Sequence, residues 1–186
     1  MKKAILLFFL LGIIFSCKEK ISQTKEIFYQ TLEFTDYYNR TVKVKHNPQT
    51  VVSLSPGITE ILFDLGVGNK IIGRTKFCNY PESVSKIETV GGITDASLEK
   101  IITLHPEIVI TSSMVRKDIV ESIEKAGISI ICLPERSNVE GVFNTLKILG
   151  QIFEKENVAD SLVNDMKIKL DQVKQSYNGQ KEKPSV

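Results

Sequence analysis

The stretch Val51-Val52-Ser53-Leu54-Ser55-Pro56-Gly57-Ile58-Thr59-Glu60-Ile61-Leu62 decides the fold of this 186-residue chain. Its first four residues form a short, mostly apolar run that is typical of a buried strand. Ser55 is a preferred helix N-cap, and Pro56 suits the first helical position. Apolar residues then recur with the spacing of a helical face: Ile58, Ile61, Leu62 and Leu65. A strand that leads directly into a helix predicts an α/β unit.

The same alternation continues along the chain. Apolar runs at 70–73, 108–111 and 128–133 predict further strands, and patterns of helical spacing separate them. Continuous apolar strands joined by helices imply a parallel sheet that is buried on both faces. We therefore expect a three-layer α/β lobe over residues 48–153. Ahead of it, two β-rich runs within 27–47 predict an N-terminal hairpin.

Residues 154–178 predict a single long helix. Its apolar stripe consists of Ala159, Leu162, Val163, Met166, Leu170, Val173 and Tyr177. Such a helix would be roughly 35 Å long at about 1.5 Å per residue. This length is unusual for a crossover in a small sheet.

The amino terminus has the layout of a signal peptide over residues 1–16. Lys2 and Lys3 precede an apolar run of residues 4–15, which is too short to span a bilayer of about 30 Å. The ending Ile14-Phe15-Ser16-Cys17 looks like a lipobox, which predicts a lipid on Cys17 and a tether over 17–26. The protein would then be anchored to a membrane in the cell envelope, on its extracytoplasmic side. The alternative is an ordinary secretory peptide with a chance cysteine.

Composition argues against several classes of protein. The net charge of +2 provides no strong field for nucleic acid. The sequence has only two histidines, His46 and His105. We expect both at the surface rather than in a metal site. The first strand-to-helix loop, Ser55-Pro56-Gly57, lacks the G-x-G-x-x-G pattern of dinucleotide-binding folds, and no G-x-S-x-G elbow is present. We therefore expect a protein that is not an enzyme and holds no resident cofactor.

Two cysteines remain if Cys17 carries lipid. Cys78 and Cys132 could pair as a disulfide in an exported protein. Cys132, however, lies in the apolar run 130–133, which favours two separate thiols.

A candidate site follows from the predicted sheet. Ligands of open parallel sheets bind at the carboxyl ends of the strands. Loops that contain residues 55–56, 77–81, 91–93, 111–114 and 134–136 converge on that edge. The candidate ligand-binding residues are Ser55, Pro56, Phe77, Tyr80, Gly92, Ile93, Ser112 and Met114. Their mixture of apolar and hydroxyl groups is typical of pockets for large cofactors. Alternatively, Phe77 and Tyr80 pack their loop and Ser55 only caps a helix.

Five motifs appear in order: 51–60, Cys78-Asn79-Tyr80-Pro81, Val90-Gly91-Gly92, Ser97-Leu98-Glu99-Lys100-Ile101 and 104–110. Their order and spacing resemble the substrate-binding proteins of bacterial importers for cobalamin, haem and iron siderophores, most closely the cobalamin branch. The resemblance covers almost all of the mature chain but only the first half of the family's domain.

The resemblance implies a role for several segments. The long helix would be the rigid spine between two lobes, and residues 179–186 would begin a truncated second lobe. The rest of that lobe is missing from the sequence, either because this is a fragment or because the product is truncated. Glu99 would form a salt bridge with an arginine of the membrane permease. Ser55-Pro56 and Tyr80 would face the ligand, and Ile93 replaces a residue that is often aromatic in cobalamin-binding relatives.

The sequence therefore predicts a substrate-binding lipoprotein of an ABC importer, with the permease and ATPase subunits as partners. It would capture cobalamin or a related metal chelate and deliver it without chemical change. One alternative is a haem or ferric-siderophore receptor, for which Arg74, Arg116 and Arg136 are candidate contacts. Another is a single-lobe interaction protein without transport activity, because one lobe offers half a cleft.

Overall fold

The computed structural model describes residues 30–134 and 138–178, except for the side chains of 177 and 178. The expectations for the leader 1–16, Cys17, the tether 17–26, Arg136 and residues 179–186 lie outside these ranges.

The described chain contains a hairpin followed by a parallel sheet. The hairpin pairs β1 and β2 in antiparallel orientation, and the five-stranded sheet has the order β5-β4-β3-β6-β7 with every pairing parallel. The strands are β1 Thr31–Thr35, β2 Thr41–Lys45, β3 Val51–Ser53, β4 Ile71–Arg74, β5 Glu88–Thr89, β6 Ile108–Ser112 and β7 Ile130–Leu133. The parallel α/β prediction is confirmed. The sequence patterns did not predict β5, whose two residues are too few to form an apolar run.

Helices cover both faces of the sheet. They are α1 Pro56–Asp64, α2 Leu98–Thr103, α3 Lys117–Lys125, α4 Val139–Phe153 and α5 Glu156–Asn178. Val51 of β3 packs with residues of α1, α4 and α5, whereas its neighbour Val52 packs with residues of α2 and α3. Successive side chains of a strand point to opposite faces, so each strand contributes to both cores. The result is the expected three-layer lobe.

The hairpin shields an edge of the sheet. Asp36 is buried and accepts two hydrogen bonds from the Arg40 guanidinium, with Nη2 at 2.6 Å and Nε at 3.1 Å. The same guanidinium donates to the carbonyl oxygen of Ile130, and the N–H of Tyr37 donates to that of Cys132 at 2.8 Å. Both carbonyls belong to β7, which ends the sheet. Edge strands left open invite pairing with other chains, and here the hairpin turn prevents it.

The long helix α5 follows α4 after a sharp turn at Glu154, which adopts a left-handed conformation with φ 56°. The two helices pack closely, because a side chain on Gly150 would come within 2.8 Å of Ala159. Helix α5 has 23 residues, or roughly 35 Å. Its apolar stripe is buried at Ala159 and Val163 and 66% exposed at Val173. Within the described ranges, no helix combines the length and apolar character needed to cross a bilayer.

Candidate ligand-binding site

A cavity of ≈ 190 Å³ opens at the carboxyl ends of β3, β6 and β7, between the amino-terminal ends of α1 and α4. This is where ligands bind in open parallel sheets. Apolar side chains alternate with hydroxyl groups on its wall. The lining residues are Ser55, Gly57, Ile58, Ile61, Ser112, Leu133, Pro134, Gly141, Val142 and Thr145.

The turn from β3 into α1 is held by a buried hydroxyl network. The Thr59 hydroxyl lies 2.8 Å from Ser53 Oγ and 3.0 Å from the carbonyl oxygen of Ser55, and the Thr59 N–H donates to that same carbonyl. Ser55 occupies the N-cap position, as expected. Its side chain, however, makes no capping hydrogen bond, so the expected capping role is wrong. The Ser55 backbone is fixed by Thr59, and its hydroxyl lines the cavity instead.

Two of the predicted site residues, Ser55 and Ser112, line the cavity. Three others lie on loops that follow β4 and β6 at the same edge and are exposed. Their exposed fractions are 52% for Phe77, 64% for Tyr80 and 55% for Met114. None of the three lines the cavity, and neither does Pro56, which is partly buried.

Gly92 and Ile93 do not line the cavity, and each packs against other parts of the protein. Gly92 is buried, and a Cβ atom there would come within 2.0 Å of Asp95 Oδ1. Ile93 is partly buried against the core that β3 shares with α2 and α3. A larger side chain at position 92 would therefore disturb the loop before α2.

The loop that carries Phe77 and Tyr80 is held in place by hydrogen bonds from Arg74, the last residue of β4. The Arg74 guanidinium donates to the carbonyl oxygens of Val84 at 2.7 Å and Cys78 at 3.1 Å. Arg116 is the other described arginine that the sequence predicts as a contact for an acidic siderophore. It pairs with Asp118 at 2.6 Å. Both guanidinium groups thus have partners within the protein.

Glu99 lies in the first turn of α2, where the carboxylate is exposed. The N-cap residue Ser97 accepts a hydrogen bond from the Lys100 N–H. The Lys100 ammonium group is engaged by Glu88 at 3.2 Å and by the carbonyl oxygen of Thr89 at 2.9 Å. Among the ion pairs of the described residues, none involves Glu99. Its charge therefore faces solvent.

The two described cysteines are separate, buried thiols. Cys78 contacts the hydroxyls of Thr59 and Thr75, each at 3.2 Å. Burial raises the pKa of Cys132 to about 12, and the nearby Asp36 carboxylate adds to the shift. The Cys132 thiol therefore stays protonated and unreactive at neutral pH.

We expect both thiols to resist a chromogenic disulfide reagent at pH 8 in the native protein. A Cys17→Ser variant removes the third thiol from the count. In denaturant the same variant should release two equivalents of chromophore. Rapid reaction of the native protein would contradict the burial of these thiols.

Because the folded pKa of Cys132 exceeds its unfolded value, this group stabilises the fold below about pH 9, and the stabilisation is lost as pH rises towards 12.

The histidines are not arranged as metal ligands. His105 is exposed, and His46 Nδ1 lies 3.2 Å from Glu154 Oε1 at the opposite end of the sheet. Within residues 30–134 and 138–178, no cluster of His, Cys, Asp and Glu side chains could hold a metal ion.

Several lining residues were not predicted from the sequence. They are Gly57, Ile58, Ile61, Leu133, Gly141, Val142 and Thr145. Ile58 and Ile61 had been assigned to the apolar face of α1. A usable signal did exist, because helices that follow parallel strands begin at the carboxyl edge of the sheet. The first turn of α4, after the N-cap Asn138, could therefore have been predicted as part of the cavity wall.

Comparisons with known proteins agree with this architecture. The model of the periplasmic binding protein family matches residues 51–186. The uncharacterized ABC transporter substrate-binding lipoprotein YvrC of Bacillus subtilis (strain 168) is 32% identical over 159 residues, which is 84% of this chain and 50% of that protein. The vitamin B12-binding protein of Vibrio campbellii (strain ATCC BAA-1116) is 31% identical over 132 residues, which is 70% of this chain and 47% of that protein.

Among solved structures, the petrobactin-binding protein YclQ from Bacillus subtilis superposes with a TM-score of 0.70 at 21% identity. The superposition covers 78% of this chain and 53% of that one. At this identity the likeness shows the fold alone. The chain has the same parallel α/β fold, and it belongs to the periplasmic binding protein family, whose model matches residues 51–186. It spans about half the length of the curated relatives it matches.

Proposed function

We propose that the chain belongs to a substrate-binding component of an ABC importer that captures cobalamin or a related metal chelate outside the cytoplasmic membrane. The observation that carries the proposal is the likeness to a vitamin B12-binding protein at 31% identity over 70% of this chain. The family match over residues 51–186 includes every described residue that lines the cavity.

The geometry suits capture without chemistry. The cavity offers apolar contact from Ile58, Ile61 and Val142 and hydroxyl groups from Ser55 and Thr145. Outside it, Phe77, Tyr80 and Met114 provide exposed apolar surface against which a large ring system could lie. We propose that a second lobe, joined through α5, supplies the other wall of the cleft. Delivery to the permease would leave the ligand chemically unchanged.

The Arg74 guanidinium is held by the carbonyl oxygens of Val84 and Cys78, which supports a corrinoid over an acidic siderophore. Titration calorimetry of the native, membrane-extracted protein with cyanocobalamin, hemin and a ferric catecholate siderophore tests this choice. We expect cyanocobalamin to bind most tightly. Tighter binding of hemin or the siderophore would replace the corrinoid assignment with that ligand, and the absence of binding to all three would reject the proposal.

We further propose that Cys17 carries a lipid anchor, in agreement with the lipoprotein description of the relative YvrC. The intact mass of the membrane-extracted protein tests it. A mass that includes diacylglycerol and acyl groups on Cys17 is the expected result, whereas an unmodified Cys17 in the extracted protein would refute the anchor.

Glu99 is proposed to dock the protein on its permease. We expect Glu99→Arg to reduce ligand uptake by reconstituted transporter at least about tenfold, because a repulsive pair replaces an attractive one. Calorimetric affinity for the ligand should be unchanged, since Glu99 does not line the cavity.

The matched control is Glu156→Arg. Glu156 is also an exposed glutamate in the first turn of a helix, but α5 begins at the opposite end of the sheet. Both substitutions lose the same interaction with a helix dipole, about 0.3–1 kcal/mol. Equal uptake by the two variants would remove Glu99 from the docking surface.

A further inference from the structure

The amino-terminal end of α1 opens into the cavity without a cap. Ser55 is 6% exposed, yet its hydroxyl has no hydrogen-bond partner among the described residues. The N–H groups of Gly57 and Ile58, in the first turn, likewise have no acceptor within the described part of the chain. All three of these residues line the cavity.

Two other helices of the lobe show the usual solution. Ser97 caps α2 by accepting a hydrogen bond from Lys100, and Asn138 caps α4 by accepting one from Gly141 at 2.9 Å. A serine at the N-cap is well suited to this role, yet the buried Ser55 side chain does not fill it at α1. The free donors of α1 are explained if an oxygen atom of a ligand accepts from them.

The electrostatics specify the kind of oxygen. The amino-terminal end of a helix carries the equivalent of roughly half a positive charge. The first turn of α1 contains no acidic residue, and the described residues that line the cavity are uncharged. The apolar walls formed by Ile58, Ile61 and Leu133 reduce screening, which strengthens these interactions. Such an environment favours an oxygen that carries negative charge.

We propose that Ser55 and the first-turn N–H groups of α1 form a subsite for an anionic oxygen group of the ligand, either a phosphodiester or a carboxylate. The proposal deepens the assignment of ligand capture to this cavity and rests on it for the identity of the ligand. The Ser55 hydroxyl and the N–H groups of Gly57 and Ile58 donate to the same group, while the apolar walls hold the atoms beside it.

Two variants of Ser55 test the subsite. Ser55→Ala removes one donor to a charged group, which should weaken binding at least about tenfold. The fold should tolerate it, because the hydroxyl makes no hydrogen bond to any residue that the structure describes. Ser55→Asp places a carboxylate at the N-cap, where it would satisfy the donors itself and exclude the ligand's anion. Ser97→Ala, which removes a working cap away from the cavity, should leave ligand affinity unchanged.

The first readout uses inorganic phosphate and needs no knowledge of the ligand. Titration of the full chain should shift the amide resonances of Gly57 and Ile58, and Ser55→Asp should abolish the shifts. Amides that do not respond in the unaltered protein would overturn the subsite. This result stands even if the chain binds no corrinoid and the proposed function fails.

The second readout identifies the source of the anion by calorimetry. If the phosphodiester occupies the subsite, Ser55→Asp should weaken cyanocobalamin at least about tenfold and leave dicyanocobinamide, which lacks that group, unchanged. If a carboxylate occupies it, the loss should appear with hemin. Wild-type affinity of Ser55→Asp for both cyanocobalamin and hemin would overturn the subsite, while the binding itself would still support the proposed function.

Discussion

Arg40→Ala is expected to destabilise the protein by about 3–5 kcal/mol, since it leaves the buried Asp36 carboxylate without its partner. Asp36 Oδ2 accepts from Arg40 Nη2 at 2.6 Å and from Nε at 3.1 Å. The loss also removes the donor to Ile130 on the edge strand β7. Urea denaturation followed by circular dichroism measures the change in the free energy of unfolding.

The matched control is Lys43→Ala on the same hairpin. Lys43 pairs with Glu33 at 3.4 Å, but both side chains are largely exposed. A surface pair of this kind contributes about 0–1 kcal/mol. The double variant Asp36→Ala, Arg40→Ala should lose less stability than Arg40→Ala alone, because no charge remains buried. If Arg40→Ala and Lys43→Ala had equal effects, the hairpin turn would not depend on the buried pair.

Val142→Trp is expected to weaken ligand binding roughly hundredfold, or about 2.7 kcal/mol. Val142 lies in the first turns of α4, lines the cavity and is only partly buried. A tryptophan can therefore be accommodated while its ring occupies space that the ligand needs. Calorimetry with cyanocobalamin measures the loss, and the melting temperature should change little.

Val139→Trp is the control for this substitution. Val139 is the first residue of the same helix, is 41% exposed and does not line the cavity. Its replacement should leave affinity within about twofold, which is less than 0.5 kcal/mol. Unchanged affinity in Val142→Trp would mean that the ligand does not enter the cavity.

The sequence predicted most of the sheet because its strands are continuous apolar runs. Strands β3, β6 and β7 are buried along their whole lengths, so their patterns are unambiguous. Strand β5 has only two residues, one of them exposed, and depends on pairing with β4. Tertiary contact rather than local pattern creates such a strand, which explains why the sequence did not reveal it.

The site was predicted only where it follows the strands. Ser55 lies two residues after β3 and Ser112 ends β6, and both were found on that basis. Gly141 and Thr145 reach the cavity through the placement of α4, which depends on packing between elements distant in sequence. The free hydroxyl of Ser55 could not be predicted either, since serine at this position ordinarily caps the helix.

Hydrogen–deuterium exchange of the native, membrane-extracted protein, with and without cyanocobalamin, tests whether the ligand enters the cavity. Exchange should slow in the segments that border the cavity, which are 57–61, 112–114 and 141–145. Exchange at the opposite end of the sheet, around His46 and Gln49, should not change. Residues 41–43, 124 and 127–130 line a second groove, between β2 and α3. Protection confined to that groove, or no protection at saturating ligand, would contradict the assignment of the cavity as the ligand-binding site.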